Sequence, residues 1–113
     1  MKPLLLGIVL VLAGCGAARA ERPIDSDSVN LTSAALVKGL ASQDRAEQER
    51  ARLYLLGVLD TTEGRVWCSY SVAKTASLQE LVYEALKQSK PDSRAALEVE
   101  AALAKTLPCG KSK

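Results

Sequence analysis

The sequence predicts an all-α protein: a single small domain of about four helices, with one disulfide closing a C-terminal helical hairpin. Three observations point there. Apolar residues recur at helical spacing in four segments, each bounded by Gly, Pro or capping residues. No alternating apolar and polar run is long enough to make a useful strand. Two cysteines, Cys68 and Cys109, flank the last two helical segments.

Residues 1–20 read as a signal peptide and stand outside the fold. Lys2 precedes an apolar run from Leu4 to Ala13, and small residues follow. The run is too short to cross a bilayer, which needs about 20 apolar residues. Two cuts are open. Ala18-Arg19-Ala20 fits the small-x-small pattern and starts the mature chain at Glu21. Leu12-Ala13-Gly14-Cys15 is similar to a bacterial lipobox, in which Cys15 becomes the acylated first residue. The first cut predicts a soluble periplasmic domain. The second predicts lipid anchoring, and acylation of Cys15 is the only membrane attachment the sequence offers.

Composition excludes several function classes. The chain has 15 Lys and Arg, and removing Lys2 and Arg19 with the leader leaves 13, against 13 Asp and Glu. A balanced charge with no long basic run predicts no nucleic-acid partner. There is no His, so neither a His-dependent Ser or Cys triad nor a His metal site can be built. No other spacing sets a nucleophile beside a base. The reading is a protein that is not an enzyme, with no catalytic residue, metal or cofactor.

Residues 21–30 are polar, carry Pro23 and a run of Asp and Ser, and read as a flexible lead or tether. Thr32 or Ser33 then caps a first helix ending near Leu40, with Leu36, Val37 and Leu40 inward and Gly39 weakening it. The second helix starts after Ser42 and runs to about Thr62. Its first half is charged. Its second half, Leu53 to Leu59, is apolar on every face, which predicts a segment surrounded at the centre of the domain. Gly57 interrupts that half and predicts a close crossing by another helix. Asp60 sits near the helix C-terminus, where the dipole disfavours an anion. It needs a donor, from Arg65 or from the following turn.

Gly64 ends the second helix, and a loop runs from Glu63 to Lys74. The third helix covers about Ala76 to Ser89. Leu78, Leu81, Val82, Ala85 and Leu86 form its core stripe, with Thr75 or Ser77 as its cap and Ser77 to Glu80 matching a capping box. Pro91 and Asp92 mark the turn. The fourth helix carries Ala96, Val99, Leu103 and Leu107 inward, and Pro108 stops it. Residues 110–113 read as a short disordered tail. Two helices of similar length, out and back, bring Cys68 and Cys109 together. In an exported chain these two thiols pair.

The stretch from Leu53 to Asp60, with Tyr54, Gly57 and Asp60, is similar to the G-Y-x-x-G-V-x-D stretch of the Rap/Tai immunity proteins. Cys68 follows, then a capped helix with Thr75 and Gln79, then Pro91, then Leu107-Pro108-Cys109. The resemblance covers residues 31–109. Leu53 stands where the family has its first Gly. Ser69, Tyr70 and Ser71 replace a Pro common after the middle Cys, and a frequent extra Cys pair joining the first two helices is absent. The resemblance implies a helical periplasmic protein that binds a cognate peptidoglycan amidase delivered by type VI secretion and occludes its cleft, often as a dimer. Within the loop, Arg65, Trp67 and Tyr70 are the candidate partner-binding residues, because aromatics beside Arg are over-represented at interface hot spots. Trp67 also fits as a cover for the disulfide, and the two roles are compatible. An alternative reading is a small periplasmic helical stress chaperone, similar to the acid-stress chaperones, which are also secreted and disulfide-stapled.

Overall fold

A computed structural model of the chain describes residues 22–110. Cys15 and both cleavage sites lie outside the described residues. Four helices follow in order: α1 (Ser33–Leu40), α2 (Arg45–Thr62), α3 (Thr75–Gln88) and α4 (Ala95–Thr106). Among the described residues the only β-type pairings are two isolated bridges, Thr32 with Arg94 and Glu63 with Trp67. The all-α expectation and its four helices hold, with ends within about two residues of those expected.

The layout differs from expectation at its centre. α1 and α4 each pack against all three other helices, whereas α2 and α3 barely touch. The shortest helix is therefore the hub. α2 buries one stripe, Ala51, Leu55, Leu59 and Thr62, at four-residue and three-residue steps. Leu53 is 57% exposed. The apolar run of α2 is thus not surrounded: its second half has a buried face and an open one.

The close crossing also moves. A Cβ built on Gly57 meets nothing within 4 Å. A Cβ built on Gly39 falls 2.8 Å from the Ala51 Cβ and 3.1 Å from the Ile24 Cδ1. Gly39 is the glycine that lets α1 and α2 approach, because no side chain fits between them.

Cap chemistry explains the helix starts. Thr32 caps α1, its hydroxyl accepting from the Ala35 N–H at 3.1 Å. Asp44 caps α2, its carboxylate accepting from the Ala46 N–H at 3.0 Å. Ser42 braces that turn by accepting from the Asp44 N–H and donating to Glu47. α3 starts on Lys74 with no side-chain cap, so Ser77 falls inside the helix and the expected capping box does not form. The starts of α1 and α4 cap each other through backbone. The Ser33 N–H donates to the Ser93 carbonyl at 2.8 Å, the Ala34 N–H to the Pro91 carbonyl at 3.0 Å, and the Ala95 N–H to the Leu31 carbonyl at 2.8 Å. These bonds satisfy helix-start donors that would otherwise be orphaned. Ser33 is buried beside Ser93, hydroxyl to hydroxyl at 3.1 Å.

The core stripes of the last two helices follow the heptad-like spacing expected. Leu78, Val82 and Leu86 of α3 face Ala95, Val99 and Leu103 in one core, with Leu81 half-buried at its edge. Ala95 takes the inward place expected of Ala96. Residues 22–30 make contacts with the domain and with one another. Ile24 is buried, the Arg50 Nε–H donates to its carbonyl, and Asp25 and Ser28 close a turn through the Asp25 N–H and the Ser28 hydroxyl at 2.9 Å.

Candidate functional site

The loop between α2 and α3 is built outward from one buried ring. Trp67 has no exposed surface. Its indole N–H donates to the Leu59 carbonyl at 3.2 Å and to the Thr62 hydroxyl at 3.0 Å. The Thr62 hydroxyl in turn donates to the Val58 carbonyl at 2.6 Å. A buried indole donor needs such partners. Here they are the last turn of α2, which Trp67 therefore seals. Gly64, at φ 81°, turns the chain through the left-handed region, and its N–H donates to the Trp67 carbonyl at 2.7 Å.

Trp67 is thus buried and offers no surface of its own, where the sequence leaves open both a contact and a cover. Its role is to hold the loop from beneath. An aromatic next to Arg is compatible with a core anchor and with an interface anchor, and only the packing separates them.

Tyr70 is what the anchor displays. Its ring meets Trp67 edge-on, with centroids 5.0 Å apart and planes at 89°, and it remains 39% exposed. Its hydroxyl points to Asp60 at 3.5 Å. Burial, then the negative charge of Asp60 and the hydrogen bond to it, then Glu63, raise the Tyr70 phenol above its ordinary pKa. Tyr70 therefore keeps its proton at neutral pH. It is also the donor to Asp60 that the sequence reading had sought in Arg65 or in the following turn.

Arg65 is exposed, and its guanidinium is turned to the Thr61 carbonyl, at 2.8 Å from Nη2 and 3.3 Å from Nε. A cation on the last carbonyls of α2 complements the helix dipole. Val72, 69% exposed, extends the apolar surface past Tyr70, and the spacing of the sequence carried no signal for it.

The middle of the loop is fastened twice, at Cys68. Cys68 and Cys109 form a disulfide, with Cα atoms 4.7 Å apart and 41 positions between them. Beside it the Cys68 N–H donates to the Leu107 carbonyl at 2.9 Å. The expected pairing and the closed α3–α4 hairpin are both present. Tyr54 is half-buried at the edge of the core, and burial raises its phenol as well.

Fold and loop together define a small disulfide-closed helical domain that carries a rigidly mounted surface loop. The sequence model of the Rap1a immunity proteins matches residues 26–109. The chain belongs to the Rap1a immunity protein family. Membership implies an immunity protein of type VI secretion, one that binds a cognate toxin effector. Comparison with curated proteins gives no significant match. No helix among the described residues is long and apolar enough to cross a membrane.

Proposed function

We propose that this chain is exported to the periplasm, where it binds and inhibits a cognate peptidoglycan amidase. The observation that carries the reading is the mounting of the loop. Trp67 is buried and doubly hydrogen-bonded, Cys68 is tied to Cys109, and Tyr70 and Val72 stand exposed between those ties and α3. A surface held in place before binding loses little freedom on binding. A plug of this kind needs no chemistry of its own, which suits a chain without His. Pairing of two copies, as the resemblance implies, is compatible with this mode.

Tyr70 is the contact residue we assign first, with Arg65 at the rim. The test is calorimetric titration with a candidate type VI peptidoglycan amidase. Tyr70→Ala should weaken binding more than tenfold. An unchanged affinity removes the loop from the mechanism. Intact mass of the mature chain tests its address: a first residue Glu21 without lipid means a soluble form, and an acylated Cys15 means an anchored one.

A further inference from the structure

We propose that the open face of α2 around Gly57 and Asp60 is a docking surface for the toxin. It fits a partner that packs closely over Gly57 and brings a Lys or Arg to Asp60. This inference rests on the toxin-binding reading above and adds a second surface to the loop.

At about 100° per residue, Leu53, Gly57 and Asp60 fall within one narrow sector of α2. All three are exposed. Two of them are poor local choices. Glycine weakens a helix, and nothing inside the domain approaches Gly57 to require it. Asp60 puts an anion in the last turn, where the dipole opposes it. Its hydrogen bond to the Tyr70 hydroxyl, at 3.5 Å, is at the limit of useful length. Local rules broken side by side on an exposed face are expected where binding overrides stability.

The shape and the charge then say what fits. Without a Cβ, and with nothing within 4 Å of where one would stand, Gly57 leaves the helix backbone open to close approach between Leu53 and Asp60. Arg65 offsets the carbonyl end of α2 through the Thr61 carbonyl, and the two carboxylates of Asp60 and Glu63 still leave this end negative. The partner must therefore be cationic at this point. A second copy does not supply that charge. In a two-fold crossing at Gly57, Asp60 would oppose the turn holding Leu53 and Tyr54. Of the nearby cations, Arg50 donates to the Ile24 carbonyl, and Arg52 lines a groove with Gln79, Glu80 and Tyr83 on another side of the helix.

The test uses the full mature chain and the same candidate type VI amidase. Gly57→Leu fills this opening, and Asp60→Lys reverses the charge. Leu97→Ser, on the exposed side of α4, is the control. Both α2 variants should bind more than tenfold more weakly, the control should bind like the unaltered chain, and Gly57→Leu should not lower the thermal midpoint. Because Asp60→Lys also removes the acceptor of the Tyr70 hydroxyl, Gly57→Leu decides: unchanged affinity in that variant overturns this proposal and leaves toxin binding standing. No binding by the unaltered chain overturns the toxin-binding reading, and this proposal with it. A dimer in sedimentation that Gly57→Leu dissolves assigns the face to a second copy and also overturns the proposal.

Discussion

Trp67 and Tyr70 divide the labour that the sequence assigned to both. Trp67 fills the core and satisfies its donor on α2. Trp67→Ala should cost about 3–5 kcal/mol in urea unfolding, as for other buried large aromatics. Trp67→Phe keeps most of the volume but removes the donor to Leu59 and Thr62, and should cost about 1 kcal/mol or somewhat more. A negligible loss in both would contradict the anchor. Tyr70 carries a pH signature. Burial and the carboxylates of Asp60 and Glu63 raise its folded pKa, so the fold favours the neutral phenol. Its stabilisation is present below the unfolded pKa and is lost as pH rises through the folded one. Tyrosinate absorbance of the chain against Tyr70→Phe should show Tyr70 ionising above the range of free tyrosine, and Asp60→Asn should bring it part of the way back. Ionisation at or below the free value would contradict the contact with Asp60.

Among the elements, two glycines in neighbouring helices should respond oppositely to the same substitution. Gly39→Ala drives a Cβ into Ala51 and should destabilise, because overpacking costs about 1–3 kcal/mol while helix propensity returns about 1 kcal/mol. Gly57→Ala meets open space and should stabilise by up to about 1 kcal/mol. Thermal midpoints check both, and the reverse order would contradict the packing. The same pair shows what was legible. Helix count and the stripe Leu78, Val82, Leu86 were readable because periodicity is a property of one element. Which glycine sits at a crossing depends on how two elements meet, and the sequence of either one is silent on that. The caps are silent for a related reason: no side chain caps α3 at Lys74 or α4 at Arg94, and the α4 start is satisfied by a carbonyl from a distant segment. At the loop, composition marks both Trp67 and Tyr70 but not which of them is buried, because a large aromatic suits a core and an interface equally.

The molecule as a whole is held by two long-range ties at opposite ends. Leu31, Ser33 and Ala34 are stitched to the turn before α4, and Cys68 is bonded to Cys109 after it. The disulfide closes 41 positions, which the chain-entropy model values at about 4 kcal/mol. Small domains have about 5–15 kcal/mol in all. Reduction, or Cys68→Ser with Cys109→Ser, should therefore lower the urea midpoint substantially, and an unchanged midpoint would show that the tie adds nothing. The central claim is that this whole assembly silences an enzyme by covering it. Peptidoglycan hydrolysis by the candidate type VI amidase measures that directly. With an equimolar amount of the mature chain, hydrolysis should stop, and with Tyr70→Ala it should largely resume. Undiminished hydrolysis in the presence of the unaltered chain would contradict the account.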